Sequence, residues 1–186
     1  MNDVKAAAMV EVCWGHLQDI DSGLFLNWGT GIALAICCHG AVWSGAHGAS
    51  GEIAYSWIPK EVQGYREGHA PFEEAVGGGA IARRVREDWA MEGGGAFLDR
   101  VGSDPRSRTL WNELLDRVAW TVGSVLLALD VERVVISGGL ARRFDLVGSG
   151  LRIRWEQYLP FPPEIVLSQF VDGAGLLGGL AAAWSS

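Results

Sequence analysis

Two apolar, β-prone runs joined by Gly29-Thr30-Gly31 constrain this sequence more than any other feature. Residues 24–28 precede the turn and residues 31–38 follow it, which is the pattern of an antiparallel hairpin. A second turn at His39-Gly40 leads into residues 41–43, so three short strands form a meander. The glycines of the first turn have two readings. Either the hairpin needs residues that accept positive φ, or the turn exposes N–H groups that meet a phosphate with no Cβ in the way. The residues alone leave both open. Residues 44–51 are Gly, Ala and Ser with one His, a loop that either lets the backbone approach something closely or is simply flexible, and Glu52 follows it.

The far half of the chain has a different rhythm. Leu110, Leu114, Leu115, Val118, Val122, Val125, Leu126 and Leu129 form a wide apolar stripe, which predicts a long helix over 110–129. Val134-Val135-Ile136 is a strand buried on both faces, and Ser137-Gly138-Gly139 follows it directly. A helix over 144–158, a stiff connector over 160–163, a second buried strand at Ile165-Val166-Leu167 and a small-residue helix over 174–184 complete the pattern. Helix–strand–helix–strand–helix implies parallel strands with right-handed crossovers. Joined to the meander, it predicts an α/β chain whose mixed sheet is flanked by helices on both faces.

Upstream of the meander, Asn2 or Asp3 can cap a helix that buries Val4, Ala7, Ala8, Val12 and Cys13 and stops at Gly15. Between the halves we expect a surface loop over 59–70 and a short helix over 72–76. Gly77-Gly78-Gly79 breaks that helix, and another follows over 80–89 with Ile81, Val85 and Trp89 inward. A glycine-rich break over 92–100 leads to a helix start at Ser103-Asp104-Pro105. Cys37 and Cys38 read as core, and Trp14, Trp120 and Trp155 as packing residues.

At 186 residues, 49% hydrophobic and 20% charged, the chain is sized for one domain with a real core. Its net charge of −7 argues against a nucleic-acid or anionic-membrane surface. The tight basic groups, Arg83-Arg84-Arg86 and Arg142-Arg143, read as solvated helix faces. Three cysteines, two of them adjacent, are not a disulfide framework. No signal peptide is visible and no apolar run reaches the roughly 20 residues of a membrane span. A cytoplasmic location is the expectation.

Taken in order, several segments resemble the C-terminal half of the ROK family of sugar kinases and repressors, on the actin-like ATPase (ribonuclease H-like) fold. Asn2-Asp3-Val4-Lys5-Ala6-Ala7 is similar to the family's Asn-Asp-x-x-x-Ala helix start. Gly29-Thr30-Gly31-Ile32 resembles its second phosphate motif. The stretch from Gly45 through His47 to Glu52-Ile53 resembles its sugar loop. Glu73 with Gly78 and the following Ala80-Ile81-Ala82-Arg83-Arg84 is similar to the segment after its zinc loop. Val134-Val135-Ile136-Ser137-Gly138-Gly139 resembles its adenosine motif, and Gly173-Ala174-Gly175-Leu176-Leu177-Gly178-Gly179 its closing helix.

The resemblance implies a single lobe over 1–186, with an N-terminal lobe missing. Asp3 would be the general base on a sugar hydroxyl, against its plain N-cap reading. Asn2, Glu52 and Glu73 would contact the sugar. Gly29, Thr30 and Gly31 would hold the phosphates of ATP, which binds with Mg2+, and Gly138 and Gly139 would lie at the nucleotide. The substrate would be a hexose or amino-hexose, and the assembly a homodimer or a pairing with a separate N-terminal lobe. Departures accompany these likenesses. Tyr55 stands where a zinc-ligating His would be and Pro71 where its last Cys would be, so no zinc is expected. Ala33-Leu34-Ala35 replaces glycines after the phosphate turn, and His47 replaces the loop Asn. Two functions follow: an ATP-dependent sugar kinase once completed by a second lobe, or a non-catalytic sugar-sensing or assembly module.

Overall fold

Asn2 starts the first helix by accepting Lys5 N on its side-chain oxygen at 3.0 Å. Helix α1 (Asp3–Trp14) then buries Ala7, Ala8 and Val12, with Lys5 and Glu11 on the same covered side, and closes at Gly15. The computed structural model describes residues 2–57, 63–90 and 93–171.

Strands β1 (Ser22–Trp28), β2 (Ile32–Cys38) and β3 (Ala41–Trp43) form the expected meander. After it come the short helix α2 (Pro71–Val76), α3 (Gly78–Trp89), α4 (Gly94–Arg100) and the long α5 (Pro105–Leu129). Strand β4 (Arg133–Ser137), helix α6 (Phe144–Tyr158) and strand β5 (Glu164–Leu167) follow. The five-stranded sheet has the order β3-β2-β1-β4-β5. Strand β1 is its hinge: antiparallel to β2, with Trp28 opposite Ile32, and parallel to β4, with Asn27 opposite Ser137.

Side-chain alternation along β1 divides the core. Leu24, Leu26 and Trp28 join a large cluster with α3, α4, α5 and α6, while Phe25 joins Ala7, Ala8, Val12, Ala35, Cys37 and Val135 beneath α1. Each aliphatic side chain buried along α5 contributes roughly 1.5–3 kcal/mol, so packing rather than propensity holds that helix. Among the described residues no helix is long and apolar enough to cross a membrane. The expected helix over 174–184 lies outside the described residues.

Some expectations need correction. The break over 92–100 contains α4, whose Phe97 and Leu98 are buried against Trp89 and Trp111. Helix α3 starts at Gly78, two residues before its first non-glycine. Cys37 is buried, but Cys38 points to the other side near the sheet edge and is exposed. Burial raises the Cys37 thiol to about 12, with Cys38 and Glu11 adding to it. Trp155 is core, with its indole N–H on Ala119 O at 3.0 Å, whereas Trp14 and Trp120 are 47% and 76% exposed. Arg143 is no solvated helix residue: it lies in a 3-10 turn and ties Asp99 (3.1 Å) to Asp145 (2.9 Å).

Candidate functional site

Three glycine-bearing segments converge where β1 and β4 end. Trp28 fixes the first. It is fully buried, stacks on Trp111 with ring centres 5.5 Å apart, and donates its indole N–H to Val76 O at 2.8 Å. The turn that follows is held from three directions. Gly29 N donates to Gly31 O at 3.0 Å, while Gly78 N and Gly79 N donate to Gly29 O and Thr30 O at 2.8 and 2.9 Å. Glu73 Oε2 accepts Ile32 N at 3.0 Å. The first N–H groups of α3 are thus spent on the turn's carbonyls, which satisfies a helix end that would otherwise need a cap.

At Gly78 and Gly138 backbone leaves no room for a Cβ, whereas at Gly31 the Glu73 carboxylate would have to move. A Cβ at Gly78 would lie 2.5 Å from Gly29 O, and one at Gly31 would lie 2.1 Å from Glu73 Oε2. At Gly138, with φ +96°, a Cβ would lie 2.6 Å from the Trp28 carbonyl. Gly138 therefore presses directly on the Trp28–Gly29 backbone, while a Cβ at Gly139 would meet nothing within 4 Å. Among the described residues, the N–H groups of Thr30 and Gly31 meet no protein acceptor. These two donors, at the end of the parallel strands where open α/β sheets take their ligands, fit a phosphate group.

A second set gathers at the start of α1. Asn2 Nδ2 donates to Glu52 Oε1 at 2.7 Å, and Asp3 is exposed beside it. Lys5 sends its ammonium to Gly48 O. The loop carrying Glu52 is pinned to the sheet by Leu34 N on Gly51 O at 3.1 Å and to β3 by Ser50 Oγ on Trp43 O. Gly45, Gly48 and Gly51 all have positive φ, and a Cβ on Gly51 would lie 2.0 Å from Leu34 O. An exposed carboxylate beside a tethered amide–carboxylate pair can orient a hydroxyl and accept its proton.

The structure therefore unites Asn2, Asp3 and Glu52 in one group, and Gly29, Thr30, Gly31, Gly138 and Gly139 in another. Glu73 joins the second, where its carboxylate braces the turn. Helix α2, which carries Glu73, also packs against the turn Ile53–Tyr55 that follows Glu52. Sequence reasoning singled out neither Lys5 nor Glu11. Both are buried, and Glu11 accepts Ser168 Oγ (2.6 Å), Gln169 N (3.1 Å) and His16 N (2.7 Å). Helical spacing carried the signal: Lys5, Ala8 and Val12 lie three and four apart on the buried face.

Among the described residues, the positions of the expected zinc loop supply no zinc ligand set. Tyr55 stacks edge-on with Tyr65 at 5.1 Å, His69 Nδ1 engages Glu74 at 3.1 Å, and Pro71 offers no donor. Among the described residues no three His, Cys, Asp or Glu side chains come together. Glu74 also accepts Ala70 N, and this bond, then His69, holds its carboxyl below the usual range.

Comparison with known proteins gives concordant results. The sequence matches the ROK family over residues 1–185. A glucokinase of Thermotoga maritima is 24% identical over 95% of this chain and 62% of its own length. The chain spans between 50% and 62% of the length of the curated relatives it matches. Among solved structures, a ROK hexokinase from Thermus thermophilus superposes with a TM-score of 0.83 at 23% identity, covering 100% of this chain and 64% of that one. A ROK family glucokinase from Streptomyces griseus, in complex with glucose and AMPPNP, gives 0.81 at 21% identity, covering 98% and 66%. The fold is that of these sugar kinases, an actin-like ATPase fold.

Proposed function

The chain belongs to the ROK family, and on that premise we propose that it is one lobe of an ATP-dependent sugar kinase. A second, N-terminal lobe completes the cleft, and the substrate is a hexose or amino-hexose. The observation that carries the reading is the Asn2–Glu52 bond beside an exposed Asp3, next to a loop built of positive-φ glycines. In this reading Asn2 and Glu52 grip sugar hydroxyls. Asp3 takes the proton of the reacting hydroxyl as its oxygen attacks the γ-phosphorus and ADP leaves. The N–H groups of Thr30 and Gly31 hold phosphate oxygens, with Glu73 bracing the turn from behind. Gly138 and Gly139 admit the nucleoside. ATP, bound with Mg2+, supplies the phosphoryl group. ATP places the reaction in the cytoplasm, and the working assembly is a homodimer or a pairing with a separate lobe.

Calorimetric titration of the chain with glucose and N-acetylmannosamine tests the sugar site. Binding is expected in the wild type and a loss of about tenfold or more in Glu52→Gln, which forfeits hydrogen bonds to a charged group. Absence of heat with every hexose would refute the sugar site. Mixing the chain with a ROK N-terminal lobe and Mg-ATP tests the kinase. Turnover that disappears in Asp3→Asn is expected. Sugar binding with no turnover in the mixture would instead favour the sugar-sensing module.

A further inference from the structure

Lys5 is 2% exposed, although Asn2 and Asp3 beside it are open to solvent. Burying an ammonium is costly unless its donors are used. Its partner among the described residues is a single backbone carbonyl, Gly48 O, with no carboxylate paired to it. That carbonyl belongs to the loop that ends in Glu52.

The connection is doubled. Lys5 N donates to Asn2 Oδ1 at 3.0 Å, and Asn2 Nδ2 donates to Glu52 Oε1 at 2.7 Å. The first turn of α1 therefore holds the loop at both ends of residues 48–52. The Gly51 end is also fixed by β2, through Leu34 N. The Gly48 end has less: its own N–H makes a long turn bond to Gly45 O at 3.4 Å, and a Cβ there would meet nothing within 4 Å. We propose that Lys5 is a positioning residue. Its buried ammonium anchors Gly48 and so sets the loop that holds Glu52 against Asn2, beside Asp3. This inference rests on the sugar-binding reading.

Two measurements on the same chain test it. Hydrogen exchange of the amides over 45–52 needs no sugar. Lys5→Met keeps the apolar stem and removes the donor, and is expected to speed this exchange about tenfold or more while β1 and α5 stay protected. Lys5→Gln retains an N–H donor and is expected to restore part of the protection, which a role in bulk packing would not produce. Hexose affinity should fall in the same order, about tenfold in Lys5→Met and less in Lys5→Gln. Unchanged loop exchange in both variants would overturn the proposal, as would faster exchange with hexose affinity intact. Faster exchange in a chain whose wild type binds no hexose would sustain the anchor and refute the sugar site. If Lys5→Met fails to fold, Lys5→Gln decides by the same readings.

Discussion

At the scale of single residues, the site depends on what is left out as much as on what is present. Gly138 sits at φ +96° with the Trp28 carbonyl 2.6 Å from where a Cβ would be. Gly138→Ala must therefore push β1 and β4 apart at their C-terminal ends and strain its own backbone, at a cost of about 1–3 kcal/mol. Urea denaturation should show that loss, and titration with AMPPNP should show weakened binding. Gly139→Ala, where a Cβ would find open space, is the control expected to keep stability. Glu73 teaches the complementary lesson. The resemblance implies a sugar contact for it, and its role in bracing the turn was not visible from its type and order in the chain. Its partner is Ile32 N, 41 residues away, and a bond of that span depends on the packing of α2 against the hairpin.

At the scale of elements, legibility followed how local the stabilising physics is. The meander and α6 emerge because apolar runs, turn glycines and a helical stripe are all short-range signals. Helix α4 does not, because the glycines at 93–95 depress its propensity and its stability comes from Phe97 against Trp89 and Trp111. The start of α5 was legible as Ser-Asp-Pro, and the structure adds its mechanism. Asp104 Oδ2 accepts both Ser107 Oγ at 2.6 Å and Ser107 N at 2.7 Å. Ser107, first through its side chain and then its N–H, lowers the Asp104 carboxyl below its usual range. A lowered carboxylate pKa gives stability that is present above the ordinary aspartate range and lost as pH falls through the lowered value. Acid titration of the unfolding midpoint should show that loss in the wild type. Asp104→Asn, which caps without titrating, should flatten this part of the profile.

At the scale of the whole molecule, Tyr55 with Tyr65 and His69 with Glu74 form an aromatic pair and a His–carboxylate contact where the family resemblance would place a metal. Excess chelator is therefore expected to leave the thermal midpoint of the purified chain unchanged, and a shift of several degrees in calorimetry would contradict this. The sheet order has a further consequence, in time rather than in space. Strand β1 pairs with β2 almost as soon as both exist, but its other edge waits for β4, since Gly23 lies opposite Arg133. At roughly 5–20 residues per second of synthesis, a ribosome takes on the order of 5–20 seconds to make the intervening segment. For that interval the nascent hairpin carries one open edge bearing Leu24 and Leu26. Such an edge can pair with another emerging chain, so the same central strand that seats the Gly29-Thr30-Gly31 turn is where this protein is open to misassembly during its own translation.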